Sequence, residues 1–177
     1  TEFIYWSDYY NSIISPFYSY STGRTKETLR SSQVTCRDID DDGYIEIPED
    51  TSSKKQSSEI TSQNWVNYGN TVLSHKCYSF SCKRDGYILV IDDDDFSKVK
   101  ANYDSESRKL TIIDKKNKSN VFEIVTLINS NYSVNDPKYK DYTMIMKNSG
   151  FVYLAKVNKS SDIDINIQTL KDMIKVY

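Results

Sequence analysis

The second half of the chain is dominated by short segments in which apolar and polar residues alternate. From Trp65 onward these segments are VLSHKCYSFS, DGYILVI, VKANYD, KLTIID, NVFEIVTLIN, YTMIMK and FVYLAKV. Alternation with a period of two is typical of strands that bury one face. Turns are expected at residues 105–107, 115–120 and 148–150, where Asn148 and Gly150 would supply the positive φ of a tight turn. The pattern predicts antiparallel hairpins.

Helix-forming sequence is scarce, because alanine, the strongest helix former, occurs only at Ala101 and Ala155. The C-terminus is the exception, where Asn166 is a suitable N-cap and Ile167, Leu170 and Ile174 recur at helical spacing. The sequence therefore predicts a mainly β (α+β) protein, an antiparallel sheet of hairpins with a short C-terminal helix. A partial β-propeller followed by an α+β domain is the alternative, since no repeat unit supports a complete propeller.

A polar, serine-rich stretch at residues 49–62, EDTSSKKQSSEITS, has the composition of a linker. It predicts a boundary between an aromatic-rich segment with an acidic-loop hairpin, residues 1–62, and an antiparallel β domain with the C-terminal helix, residues 63–177. One continuous domain is the alternative, because 177 residues suffice for a single core.

The most specific chemical signal is the acidic loop, DIDDDGYIEIPE, at residues 38–49. Asp38, Asp40 and Asp42 stand at alternate positions, and Gly43 follows where the chain must turn sharply. Ca²⁺ takes 6–8 oxygen ligands, and calcium loops present carboxylates at this spacing. We therefore expect these three carboxylates to bind one Ca²⁺, with the backbone carbonyl of Tyr44 as a further ligand.

The sequence leaves open which glutamate closes the shell of ligands. Glu49, at position 12, would do so in a helix-loop-helix EF-hand, but Pro48 stands where the exit helix should begin. Glu46, at position 9, would do so in a strand-loop-strand arrangement, which the strand-like flanks favour. The simpler alternative is an acidic turn that holds no ion, although carboxylates packed together without a counter-ion repel one another.

Charge and motifs argue against several classes of protein. The net charge is −2, and the basic residues form no stripe, so a nucleic-acid partner is not expected. The apolar run Tyr87–Ile91 is far shorter than the ~20 residues of a membrane helix, so no transmembrane segment is expected in this chain. The common hydrolase, nucleotide-binding and zinc-protease motifs are absent. The sequence thus favours a non-enzymatic protein without deciding the question.

Three cysteines, Cys36, Cys77 and Cys82, are too few and too irregularly spaced for a disulfide framework. Together with His75 they would offer four zinc ligands, but no C-x-x-C knuckle is present. We expect free thiols.

Aromatic residues are concentrated near the N-terminus, at Trp6, Tyr9, Tyr10, Tyr18 and Tyr20. Exposed tyrosine and tryptophan side chains bind sugar rings and partner proteins well. A protein or glycan partner is therefore one expectation for this segment, and ordinary packing is the other.

The stretch from Cys36 to Pro48, CRDIDDDGYIEIP, resembles the D-x-[ND]-x-D-G-x-x-E-I-P loop of uncharacterised extracytoplasmic, lipoprotein-like proteins of clostridial Gram-positive bacteria. It is also similar to the calcium loops of FG-GAP and integrin-type propellers. In the clostridial proteins a tryptophan-containing strand follows the loop, and Trp65 would match that tryptophan. The resemblance implies a secreted or cell-surface module of unknown role, tethered to the membrane by a segment upstream.

Two functions follow as expectations. The first is a surface module that a structural Ca²⁺ stabilises and that binds a protein or glycan through its aromatic residues. The alternative is a cell-wall-acting hydrolase or accessory domain in which Glu46 and the acidic run Asp92–Asp95 would lie in a cleft.

Overall fold

The structure is a computed structural model that describes residues 4–15, 18–19, 24–25, 34–51, 59–69, 72–133, 136–158 and 163–177. The chain forms two compact units, the first from residues 1–51 and 63–76 and the second from residues 52–62 and 77–177. These bounds do not coincide with the predicted division after residue 62. Residues 63–66 belong to the first unit, where they pair with the strand that follows the acidic loop.

Among the described residues the elements are β1 (Tyr5–Ser7), β2 (Ser12–Ile14), β3 (Tyr18–Ser19), β4 (Arg24–Thr25), β5 (Ile47–Asp50), β6 (Ile60–Gly69), β7 (Val72–Cys82), β8 (Tyr87–Ile91), α1 (Asp93–Phe96), β9 (Val99–Asp104), β10 (Lys109–Asp114), β11 (Asn120–Ile128), β12 (Thr143–Lys147), β13 (Phe151–Val157), α2 (Ile167–Met173) and β14 (Ile174–Val176). Single 3₁₀ turns cover Asn129–Asn131 and Pro137–Tyr139. The predicted mainly β class, with antiparallel sheets and a short helix near the C-terminus, is confirmed.

The first unit is built from short antiparallel pairings. Strands β1 and β2 form a hairpin in which Trp6 lies opposite Ile13, and β3 pairs with β4. Strand β5 pairs with β6, from Ile47 opposite Val66 to Asp50 opposite Gln63. Trp65 on β6 is fully buried. The acidic loop therefore leads into a strand that is fixed by a hydrogen-bonded neighbour.

The second unit contains a five-stranded antiparallel sheet with the strand order β12-β13-β11-β10-β9. Residues 78–82 of β7 pair with β8, which pairs in turn with β14. The inward-facing side chains of these strands form one hydrophobic core, whose most buried members include Leu89, Leu110, Ile112, Phe122 and Ile124. As the alternating pattern predicts, the apolar residues of these strands pack inward.

The three predicted turns are present, but their conformations differ from the expectation. At these turns, positive φ values occur at Arg108 (51°) and Lys118 (62°), before and after β10, and not at Asn148 or Gly150. Asn148 instead acts through its side chain, because its Oδ1 accepts hydrogen bonds from the N–H groups of Gly150 (2.9 Å) and Phe151 (2.7 Å). Such a side-chain bond closes a turn without a left-handed residue.

The C-terminal helix begins as predicted and ends earlier. The Oδ1 of Asn166 accepts from the N–H groups of Gln168 (2.8 Å) and Thr169 (3.0 Å), and Leu170 is buried. Ile174 does not continue the helix, since it begins β14 and pairs with Leu89. Of the helices in the described part of the chain, none has the length and apolarity needed to cross a membrane.

A candidate metal centre in the acidic loop

The acidic loop is closed at its base by a backbone bridge. The N–H of Arg37 donates to the carbonyl of Glu46 (3.2 Å), and the N–H of Glu46 donates to the carbonyl of Arg37 (2.9 Å). No helix flanks the loop among the described residues 34–51, which run instead into strand β5. Within these residues the loop thus begins at an isolated bridge residue and ends in a strand, which differs from the flanking helices of an EF-hand and agrees with the strand predicted after the loop.

The loop backbone is organised by its own aspartates. Both carboxylate oxygens of Asp38 accept backbone hydrogen bonds, from Asp42 (3.0 Å) and Gly43 (2.8 Å), and Asp42 accepts one from Tyr44 (2.9 Å). Gly43 has a φ of +91°, and a Cβ at this position would meet nothing within 4 Å. Glycine is thus required at position 43 for its conformation and not for space, as the predicted sharp turn implies.

Three of the predicted ligands come together. Carboxylate oxygens of Asp38, Asp40 and Asp42 all lie within 4.8 Å of one another, with Asp38 half-buried and the other two exposed. The Nζ of Lys76 on β7 lies 3.0 Å from Asp40 Oδ2 and 2.5 Å from Asp42 Oδ2. One ammonium group therefore offsets part of the charge of three carboxylates.

Glu46 is the fourth carboxylate, and it is fully buried. Its Oε2 accepts a hydrogen bond from the N–H of Ile39 (3.0 Å), which lies between Asp38 and Asp40 in the loop, and its Oε1 is buried without a partner. A buried carboxylate oxygen with no hydrogen bond is costly, so a proton or a cation at this oxygen would stabilise the folded loop.

The charges of the loop alter its titration. Burial raises the pKa of Glu46, and the neighbouring Asp40, Asp42 and Asp38 raise it further, against the lowering effect of the Ile39 N–H. The hydrogen bond from Lys76 lowers the pKa of Asp42, and the hydrogen bonds to Asp42 and Asp40 raise the pKa of Lys76. The site therefore has an excess of negative charge that favours any cation able to enter it.

Of the remaining predicted ligands, Glu46 lies outside the group of three oxygens, and Glu49 lies beyond the loop. Glu49 is on β5, where its Oε2 accepts from the Nδ2 of Asn64 on the paired strand (3.2 Å). Since Glu46 and Glu49 are three residues apart in an extended chain, their side chains point to opposite faces. The ring of Tyr44 is exposed, and its N–H is bound to Asp42.

The other candidates from the sequence form no comparable group. Among the described residues, the one cluster of three or more side chains suited to hold a metal is the aspartate group. Cys36, Cys77 and Cys82 are not joined in disulfides, and burial, followed by the charge of Asp85, raises the pKa of Cys82 to about 12. The ring Nδ1 of His75 is 2.5 Å from Asn64 Oδ1.

The acidic run at residues 92–95 forms the exposed one-turn helix α1 and the residue before it, with Asp95 bonded to Lys98 (2.9 Å). Two cavities bordered by described residues, of about 690 and 300 Å³, are lined by other parts of the second unit. Neither cavity includes residues 38–46 or 92–95.

The sequence does not predict two ion pairs, one at the acidic loop and one buried in the second unit. Lys76 lies 34 residues from Asp42 in the chain. The sequence predicts the strand that carries Lys76, but not the contact of Lys76 with Asp42. The fully buried Asp85 and its partner Arg108 are also far apart in sequence, and only the Arg-Asp-Gly turn before β8 marked that region.

Residues 4–15 form a hairpin, called here the aromatic hairpin, that exposes three of the predicted aromatic side chains. Trp6, Tyr9 and Tyr10 are 57%, 88% and 67% exposed, and the Trp6 Nε1 donates to Asp8 Oδ1 (3.0 Å). Tyr20 and the side chain of Tyr18, the other two aromatic candidates, lie outside the described residues.

The chain was compared with protein-family models, with curated proteins and with solved structures, and nothing in the three comparisons matches it.

Proposed function

We propose that the protein is an extracytoplasmic surface module in which a structural Ca²⁺ ion rigidifies the acidic loop. The observation that carries the proposal is the convergence of Asp38, Asp40 and Asp42 in a loop against which Glu46 is buried, with Oε2 bound to the Ile39 N–H and Oε1 without a partner. These residues supply the carboxylate oxygens that a hard divalent cation prefers. The bound ion would join the loop to the Arg37–Glu46 bridge at its base and to strand β5, and so stabilise the first unit.

The location outside the cytoplasm is supported by the resemblance of residues 36–48 to loops of extracytoplasmic proteins. It also agrees with the chemistry of the site, because two of the three aspartates are exposed. Loops of extracellular modules bind Ca²⁺ with Kd values on the order of 10⁻⁴–10⁻³ M. We expect an affinity in this range, which is too weak for a cytoplasmic calcium sensor.

The proposal is tested by thermal unfolding of the full chain in EDTA and in CaCl₂. At a Ca²⁺ concentration about 100 times the Kd, binding adds about 2.7 kcal/mol to the stability of the folded state. We expect the Tm of the first unit to rise on the order of 10–20 °C, followed through the buried Trp65 by near-UV circular dichroism.

Asp40→Asn is the matched variant for this test. Asp38 and Asp42 accept hydrogen bonds from the loop backbone, whereas the carboxylate of Asp40 contacts Lys76, so its neutralisation leaves the loop folded. The calcium-dependent rise in Tm should be lost in Asp40→Asn and retained in Asp94→Asn, a control in the exposed acidic run. Identical melting curves of the wild-type protein in EDTA and in CaCl₂ would refute the proposal.

A second role, binding of a protein or glycan, is favoured by the aromatic hairpin. Trp6, Tyr9 and Tyr10 together expose on the order of 400 Å², because an aromatic side chain of this kind carries about 150–250 Å². The rings of Tyr9 and Tyr10 are in contact, with centroids 4.8 Å apart, and exposed aromatic surface of this kind frequently marks binding sites. The charged group within the described hairpin is Asp8, so the surface suits a neutral or cationic ligand better than a phosphate.

The hairpin can be tested through its fluorescence. The two tryptophans differ, since Trp65 is buried and Trp6 is exposed, so a ligand of the hairpin should shift the emission of Trp6 alone. Titration with soluble cell-wall oligosaccharides is expected to shift the emission to shorter wavelength, and the shift should disappear in Trp6→Ala. An emission spectrum that no oligosaccharide changes would leave a protein as the remaining class of partner.

The cell-wall hydrolase or accessory domain has less support. It requires Glu46 and the run at residues 92–95 to line a cleft, and the two cavities of the second unit described above include neither.

A further inference from the structure

The acidic loop is already in contact with a cation of the protein itself. Lys76 extends from β7 so that its Nζ lies within 3.0 Å of one oxygen of Asp40 and one oxygen of Asp42. All three side chains are about one third exposed, so the ammonium group can leave the site into water without unfolding. The contact joins residues of the first unit and needs no other part of the chain.

Lys76 and a metal ion compete for the same oxygens. Ca²⁺ takes its ligands at 2.3–2.6 Å, and a divalent ion at that distance from Asp40 and Asp42 would stand next to a positive ammonium group. At 3–4 Å two like charges repel by about 1 kcal/mol or more even in water. The two cations therefore exclude each other from the loop.

We infer that Lys76 is a tethered counter-ion that competes with Ca²⁺ and thereby sets the affinity of the loop. This inference rests on the proposed calcium site. A second observation supports the aspartate cluster as a binding site: Glu46 is fully buried against the loop, its Oε2 accepts from the Ile39 N–H between Asp38 and Asp40, and its Oε1 has no partner. Lys76 supplies one charge where a divalent ion supplies two, so it keeps the loop folded in the absence of metal and yields to Ca²⁺ at high concentration.

The experiment compares the full-length wild-type protein with Lys76→Met and Lys76→Arg in calorimetric titrations with CaCl₂. Lys76→Met removes the competing charge, so its Ca²⁺ affinity should rise at least about tenfold, while its Tm in EDTA should fall. Lys76→Arg keeps the charge and should bind close to the wild-type level. Lys98→Met is the control, because Lys98 pairs with Asp95 at 2.9 Å on the surface of the other unit, and it should change neither value for the loop.

The possible results separate the inference from the proposed function. Tighter binding in Lys76→Met supports the inference. Equal affinities in the wild-type protein and Lys76→Met overturn it and leave the calcium site standing. Absence of calcium binding in both overturns the calcium site as well.

A second measurement uses the wild-type protein, in case Lys76→Met does not fold. Reductive ¹³C-methylation of the lysines, with Lys76 assigned through Lys76→Arg, gives an NMR signal for its ammonium group. The signal should move toward the position of a solvated lysine as CaCl₂ is added. A Lys76 signal that stays in place while Ca²⁺ binds would overturn the inference.

Discussion

Replacement of Asp85 by Asn is expected to lower the free energy of unfolding of the second unit by about 3–5 kcal/mol, the usual cost of breaking a buried ion pair by removal of one partner. Asp85 is fully buried, and its Oδ1 accepts from Arg108 Nε (2.7 Å) and Nη2 (2.6 Å). The Arg108 side chain is only 18% exposed, so the variant leaves a largely buried guanidinium without its counter-ion.

The effect is expected to be large because Asp85 joins several elements. Its Oδ2 accepts from the Tyr103 hydroxyl on β9 (2.8 Å), and its backbone carbonyl accepts from the Tyr153 hydroxyl on β13 (2.8 Å). Arg108 also lies over the ring of Phe151, 4.7 Å from its centroid. Loss of the charge at Asp85 therefore weakens the contacts of the turn before β8 with two strands of the five-stranded sheet.

Urea unfolding measures this cost, and alkylation of Cys82 provides a second readout. Cys82 is buried, its Sγ lies 3.5 Å from Asp85 Oδ2, and its pKa is raised to about 12, so the thiol should react only when the second unit opens. Asp85→Asn should therefore accelerate the labelling of Cys82.

Two variants serve as controls for Asp85→Asn, one that removes a single hydrogen bond and one that breaks an exposed ion pair. Tyr103→Phe removes one hydrogen bond to the Asp85 carboxylate and keeps the ion pair, so it should cost about 1.5–3 kcal/mol, less than Asp85→Asn. Lys156→Met breaks the exposed pair with Asp141 and should have little effect. A loss of less than 1 kcal/mol in Asp85→Asn would show that the network contributes little to stability.

The features that the sequence predicts correctly are those that depend on neighbouring residues. The hairpins of the second unit follow from alternating residues and local turns, and the Asn166 cap acts on N–H groups two and three residues away. The spacing of Asp38, Asp40, Asp42 and Gly43 likewise specifies a loop that folds by its own hydrogen bonds. These are local interactions, and their signals lie in neighbouring residues.

The features that escaped prediction depend on long-range contacts. Lys76 meets Asp42 across 34 residues, and Arg108 meets Asp85 across 23, so no local pattern distinguishes either basic residue from other lysines and arginines. Ile174 has the spacing of a helical residue, but its pairing with Leu89 places it in a strand. In each case tertiary contacts override or add to the local pattern.

Glu46→Gln is expected to change the stability and the calcium affinity in opposite directions. The folded state raises the pKa of Glu46, so folding favours its protonated form, and ionisation costs stability at neutral pH. As the pH falls through the raised pKa, the Ca²⁺-free protein should regain this stability. Glutamine keeps an acceptor for the Ile39 N–H without the charge, so the variant should have a higher Tm in EDTA than the wild type and should lack this component of the pH dependence.

The same substitution should weaken Ca²⁺ binding on the order of 10- to 100-fold, the scale of losing one supporting group at a metal site. In the wild-type protein, the Ca²⁺ affinity should fall as the pH is lowered and Glu46 is protonated, because a neutral carboxyl group is a poor ligand.

Glu49→Gln is the matched control. Glu49 contacts Asn64 on β6, so this variant should leave calorimetric titrations with CaCl₂ unchanged. A loss of affinity in Glu49→Gln with none in Glu46→Gln would assign closure of the shell to Glu49. Because Glu46 is the buried carboxylate with the unpartnered oxygen, we expect the reverse.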